Sequence, residues 1–156
     1  MSSEKIGQVV GIIVVSHGGY GSEILRTAEF ILGHQSDCCS ISVDAAHDVP
    51  ESVRRLNDAA MRLDKGAGVL ILTDMFGGTP TNIALSLLGT HKVEVVTGVN
   101  LPMLLKVFLE RETSLEELSS IASKAGKEGI VEAGSILSEK AREKQRNHHR
   151  TSSNMK

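Results

Sequence analysis

An α/β fold, with a doubly wound, mainly parallel sheet and helices on both faces, is predicted by three features of the chain. Short β-branched runs alternate with longer segments of helical periodicity. The short runs are continuously apolar, as strands buried on both faces of a parallel sheet are, with no polar residue at every second position. Glycine, proline and capping residues punctuate the junctions between the two kinds of segment.

The first strand is read at Val9-Val10-Gly11-Ile12-Ile13-Val14-Val15. From Ser22 the period changes: Ile24, Leu25, Ala28, Ile31 and Leu32 share one helical face, and Gly33 closes the helix. Cys38 to Val43 reads as a second strand. Pro50 near a helix start is followed by Val53, Leu56, Ala60 and Leu63 on the inward face. Gly66 and Gly68 turn the chain into a third strand, Val69-Leu70-Ile71-Leu72-Thr73. A helix from about Thr79 to Leu88 follows, with Thr79 expected as N-cap and Pro80 at the first helical position. Val93 to Thr97 makes a fourth strand, and Asn100-Leu101-Pro102 opens a helix through Leu109. Ser114 and Glu117 form a capping-box pattern at the head of a final helix near Leu115 to Lys124. Residues 1–8 are a lead-in, 9–136 one domain, and 137–156 a charged tail expected to be disordered. No internal repeat is visible.

Composition narrows the function. With 156 residues the chain has enough length to bury one core. It has no Trp, one Tyr and three Phe, too few rings for a surface that stacks single-stranded nucleic acid. A net charge of −2 gives no general reason to expect nucleic acid or an anionic membrane as partner. From Ser138 onward six Lys/Arg face two Glu, so the tail is basic and the body acidic. Cys38 and Cys39 are neighbours on a strand and point to opposite faces, so they do not pair with each other. No segment has the apolar length of a membrane span, and no signal peptide opens the chain, which predicts a cytoplasmic protein.

In open α/β sheets ligands bind beyond the carboxyl ends of the strands, so polar residues at strand exits are the first candidates. Two exits stand out. The first strand runs into Ser16-His17-Gly18-Gly19, and the third into Asp74-Met75-Phe76-Gly77-Gly78-Thr79-Pro80-Thr81-Asn82. A neutral imidazole suits phosphoryl transfer, because its unprotonated nitrogen attacks phosphorus near neutral pH and the N–P bond formed is labile. The other ring nitrogen must keep its proton, and Asp74 is the candidate to accept it and fix the tautomer. Gly77, Gly78 and the helix start at Thr79 are candidate phosphate-binding elements, through backbone N–H groups that approach an anion. Each has a plainer reading: a loop histidine, a turn aspartate, and turn-and-cap chemistry. No G-x-x-x-x-G-K-[ST] loop is present, which argues against nucleotide hydrolysis. His34 and His91 sit at turns and His148-His149 lie in the tail. A metal-dependent hydrolase built on His17, His47 and Asp74 is a weaker alternative, since no histidine pair has metal-ligand spacing.

Three stretches together resemble the mannose-type enzyme IIA domains of the phosphoenolpyruvate-dependent sugar phosphotransferase system. They are Gly11 to Gly18, Leu72 to Asn82, and Thr97-Gly98-Val99-Asn100-Leu101-Pro102-Met103-Leu104. The resemblance runs from about Ile12 to Gly134. It implies that His17 is the phosphorylated histidine, Asp74 its orienting aspartate, and Thr79 the hydroxyl that contacts the phosphoryl group. It also implies the histidine-containing phosphocarrier protein as donor, an enzyme IIB protein as acceptor, and a homodimer. Neither a metal nor another cofactor is implied at the transfer step, and membrane contact comes only through permease partners. Some family members continue into a fused IIB domain; here the expected acceptor is a separate protein. A regulatory role, in which the phosphorylation state is sensed without sugar uptake, uses the same chemistry at His17. The related carrier subunit of dihydroxyacetone kinase is disfavoured by Phe76-Gly77-Gly78-Thr79-Pro80.

Overall fold

The computed structural model describes residues 8–44 and 48–153, with the side chains of 146–153 excepted. Four parallel strands lie in the order β2-β1-β3-β4: β1 Gly11–His17, β2 Cys38–Val43, β3 Val69–Thr73 and β4 Val93–Thr97. Between them run α1 Tyr20–Leu32, α2 Val49–Leu63 and α3 Thr79–Leu85, followed by α4 Leu101–Glu110, α5 Leu115–Glu128 and α6 Ala133–Ser153. The expected α/β architecture is therefore present.

Alternation along the strands divides the core in two, because successive side chains point to opposite faces. Ile12, Val14, Leu70 and Leu72 meet Ile24, Leu25 and Ala28 of α1, Leu104, Val107 and Phe108 of α4, and Leu118 and Ala122 of α5. Ile13, Val15, Val69 and Ile71 meet Leu56, Ala60 and Leu63 of α2 and Ile83 and Ala84 of α3. A fully buried side chain of this size stabilises the fold by roughly 1.5–3 kcal/mol, and β1 and β3 are buried along nearly their whole length. The two candidate site residues are mounted at their ends.

The strand order places a topological switch at β1 and β3. From β1 the chain first moves outward to β2, then returns to the other side of β1 for β3. The loops leaving β1 and β3 consequently diverge, and a crevice opens between them at the carboxyl edge.

Several boundaries differ from the sequence expectation. β1 begins and ends two residues later than the apolar run, since its limits are set by pairing, from Gly11 opposite Val69 to His17 opposite Val43. Val10 stays buried ahead of the strand. The N-cap of α3 is Gly78, with no side-chain cap bond, and Thr79 and Pro80 occupy the first helical positions. That helix stops at Leu85, where the backbone tightens into bonds from Leu87 N–H to Ala84 and from Leu88 N–H to Leu85. Ser114 caps α5 as its sequence implies, accepting from the Glu117 N–H. The stretch 137–153, within the expected charged tail, lies in α6, Ala133–Ser153. Its Glu, Lys, Arg, Gln and Ala are strong helix formers, and helix propensity outweighs the lack of an apolar stripe. Every described side chain of α6 is exposed.

Candidate functional site

His17 is the last residue of β1 and Asp74 the first beyond β3. Val15 pairs with Thr73, so Asp74 leaves its strand level with Ser16 and one residue short of His17. This offset lets the aspartate reach back to both the backbone and the ring of the histidine. Asp74 Oδ2 accepts from the His17 N–H at 2.8 Å and lies 2.7 Å from Nδ1. Asp74 Oδ1 accepts from the Met75 N–H at 2.8 Å.

The electrostatics follow from these bonds. Burial works to raise the Asp74 carboxyl pKa, but hydrogen bonds from His17 N–H, His17 Nδ1–H and Met75 N–H, with electrostatic attraction to His17, hold it below the usual aspartate value. Asp74 is thus a carboxylate near neutral pH and can only accept. Its partner Nδ1 therefore carries the ring proton, and Nε2 of the neutral imidazole keeps its lone pair. The His17 side chain is 51% exposed and that of Asp74 is 15% exposed, so the imidazole is open to solvent while the carboxylate is sheltered.

The loop after Asp74 is shaped around the ring. A Cβ built on Gly78 would stand 3.0 Å from His17 Cε1 and 3.6 Å from Nε2, so the third strand exit and the imidazole are in contact here. Gly77 has φ +81, in the left-handed region that suits glycine, and this turns the chain from Phe76 back toward the ring. Thr79 follows as the first residue of α3, exposed, with Pro80 and Thr81 buried behind it. Of the expected site residues, the structure brings His17, Asp74 and Gly78 into direct proximity, with Gly77 and Thr79 flanking Gly78.

On the other side, Ser16 is buried and its Oγ accepts from the Gly21 N–H at 2.7 Å, seating the start of α1 against β1. Tyr20 was not singled out by sequence. Its hydroxyl donates to the Val99 carbonyl at 2.7 Å, while the Val99 N–H donates to the Thr73 carbonyl at 3.0 Å. Val99 thereby joins the loop after β1 to the end of β3. Burial, then the Asp74 charge, raise the Tyr20 pKa. The available signal was the position of the chain's one tyrosine, three residues after His17.

Among the described residues, no three His, Cys, Asp or Glu side chains come together in a way that could hold a metal ion. His47, invoked by the hydrolase alternative, lies outside the described residues. No helix among the described residues is long and apolar enough to cross a membrane. The arrangement offers one exposed nucleophilic nitrogen, a fixed tautomer and a glycine-lined approach.

Known proteins resemble this chain in sequence and in fold. Residues 11–124 match the family model EIIA-man, the PTS (phosphotransferase system) fructose IIA component. The chain is 32% identical over 124 residues to the PTS system mannose-specific EIIAB component of Escherichia coli K12, taking in 78% of this chain and 38% of that protein. It therefore spans well under half the length of such mannose-specific relatives. The phosphotransferase system component EIIA from Streptococcus agalactiae has a TM-score of 0.73 at 31% identity, covering 81% of this chain and 98% of that one. The PTS IIA protein associated with the fucose utilization operon of Streptococcus pneumoniae has a TM-score of 0.74 at 28% identity, covering 83% and 96%.

Proposed function

We propose that this chain, which belongs to the EIIA-man family of phosphotransferase-system IIA components, carries a phosphoryl group on His17 Nε2. It takes the group from the histidine-containing phosphocarrier protein and hands it to an enzyme IIB protein in the course of sugar uptake. The observation that supports this most directly is the 2.7 Å contact of His17 Nδ1 with Asp74, which leaves Nε2 as the free lone pair.

In the first transfer the Nε2 lone pair attacks the phosphorus held on the donor's histidine. The Nε2–P bond forms as the donor N–P bond breaks, and the bonding electrons return to the donor ring. No proton moves at Nε2; the proton on Nδ1 stays between the ring and Asp74, which steadies the cationic character of the phosphorylated imidazole. Negative charge on the phosphoryl oxygens is met by the Thr79 hydroxyl and by backbone N–H groups around Gly77 and Gly78. Donation to the acceptor repeats the step in reverse. An N–P bond suits a carrier, since it is labile enough to pass the group on.

The same family reading makes the protein a homodimer. β4 has a neighbour on one side only, β3, and proteins cover such open edges. Beside that edge runs a groove lined by Phe76, Leu85, Val95, Thr97, Ser123 and Lys127. Exposed Ile130 and Val131, just beyond α5, supply further apolar surface for a second copy.

The test is phosphorylation of the purified chain with phosphoenolpyruvate, enzyme I and the phosphocarrier. The expected product is an acid-labile, base-stable phosphate that moves on to candidate IIB proteins. Label that persists in His17→Ala overturns the assignment.

A further inference from the structure

Two buried threonine hydroxyls lie beneath the site and take no part in the transfer as described. Thr73 ends β3 and Thr81 lies in α3; both are fully buried, at 0% and 1% exposure. Their Oγ1 atoms are 2.7 Å apart, and Thr81 Oγ1 donates to the Met75 carbonyl at 2.7 Å. A hydroxyl has one proton to give. Since Thr81 gives its proton to Met75, Thr73 must be the donor within the pair. The direction is then settled for both hydroxyls, Thr73 to Thr81 and Thr81 to the Met75 carbonyl, while on the other side of the Met75 Cα its N–H donates to Asp74 Oδ1. Asp74 Oδ2 completes the set by accepting from His17.

The loop that these bonds anchor has few other attachments. Met75 and Phe76 are 55% and 78% exposed, and nothing lies within 4 Å of a Cβ built on Gly77. Packing therefore does little to hold the Met75-Phe76 peptide, whose carbonyl Thr81 binds. A buried hydroxyl costs free energy unless it is hydrogen-bonded, and valine would fill the same space. Two adjacent hydroxyls buried below an exposed loop are thus better explained by what they bind than by the volume they fill.

We propose that Thr81 is a positioning residue for phosphoryl transfer. Its hydroxyl, oriented by Thr73, fixes the Met75 carbonyl and with it the angle at which Asp74 holds the His17 imidazole. The proposal rests on His17 as the phosphoryl carrier. A displacement on the order of 1 Å in such an arrangement is enough to cost about a hundredfold in rate.

The experiment compares Thr81→Val, Thr81→Ser and Thr73→Val in the full chain. Thr81→Val is expected to lower kcat for phosphoryl uptake about tenfold, with KM for the phosphorylated carrier unchanged. The nitrogen resonances of the His17 ring, measured without any phosphoryl donor, should shift from the Nδ1–H tautomer toward a mixture. Thr81→Ser should restore both, and Thr73→Val should fall between. Wild-type kcat and tautomer in Thr81→Val overturn the proposal, as does a Thr81→Ser variant as impaired as Thr81→Val. If Thr81→Val does not fold, Thr73→Val decides: an unchanged tautomer there overturns the proposal, and a mixture supports it. Because the tautomer is read without transfer, its outcome stays separate from failure of the carrier reading, which His17→Ala reports.

Discussion

Gly78 and His17 touch across the crevice between the first and third strand exits: a methyl placed on Gly78 would sit 3.0 Å from the imidazole Cε1. The backbone there is ordinary, with φ −85 and ψ 169, so any residue can adopt it. Gly78 is required by the ring it faces, and by nothing in its own conformation. Gly77 is the opposite case, with φ +81 and open space around its Cα. One loop thus contains a glycine needed for room and a glycine needed for backbone shape.

Substitution separates these two needs. Gly78→Ala should push the imidazole from Asp74 and slow phosphoryl uptake by about tenfold or more, with little change in the urea midpoint. Gly77→Ala should lower stability by roughly 1–2 kcal/mol, the cost of a left-handed alanine. Parallel measurement of uptake rate and urea denaturation checks both. Equal rates for Gly78→Ala and wild type would show that the ring has another place to go.

Asp74 predicts a pH dependence. Burial raises its pKa, but the bonds from His17 and Met75 overcome this and leave the native value depressed. The unfolded chain therefore binds a proton at higher pH than the folded one does. The stability that Asp74 contributes is fully present above its unfolded value of about 3.9 and is lost as pH falls through the lower native value. Asp74→Asn removes this dependence. Its stability deficit relative to wild type should be constant near neutral pH and shrink below about pH 4, as read from denaturation curves across that range. Asp74→Ala should slow transfer with the fold intact; unchanged transfer would remove Asp74 from the site.

The site's two poles were legible in the sequence because each is a titratable residue directly after a buried strand. That much follows from the continuous apolar runs before Ser16 and Asp74 and from the rule that ligands sit at strand exits. Their contact was expected, with Asp74 as the acceptor of the ring proton, but its geometry was not legible, since it depends on the register that sets Val15 opposite Thr73. A run of Val and Ile does not disclose which residue ends the ladder. The Thr79 cap failed for a related reason. Gly78 takes the extended cap conformation, which left Thr79 inside the helix although its side chain is a preferred cap. Thr73 and Thr81 read as a strand end and a helix residue; only their 2.7 Å approach reveals a shared task. α6 takes in the charged tail, whose Glu, Lys, Arg and Gln are good helix formers.

Arg111 is the largest contributor that the sequence concealed, and it makes a prediction about stability without function. It sits at the opposite pole from His17, past the end of α4, and is only 6% exposed. Its guanidinium donates from Nε and Nη2 to the Val10 carbonyl, from Nη1 to Ser36 and from Nη2 to Asp37. It also lies over the Phe108 ring, 5.6 Å from the centroid. Burial lowers its pKa, yet a guanidinium keeps its charge at any working pH. Three carbonyls from the lead into β1 and the α1–β2 loop thus depend on one side chain. Arg111→Met keeps the apolar stem but leaves those carbonyls without a donor, at a cost of roughly 2–4 kcal/mol. Arg111→Lys should recover little, because an ammonium cannot reach three acceptors with the geometry of a planar fork. Denaturation in urea checks both variants. At temperatures where they remain folded, phosphoryl uptake at His17 should match wild type, since the buried β1 and β3 stand between the two poles. A slowed rate in folded Arg111→Met would mean that those strands transmit the disturbance to the site.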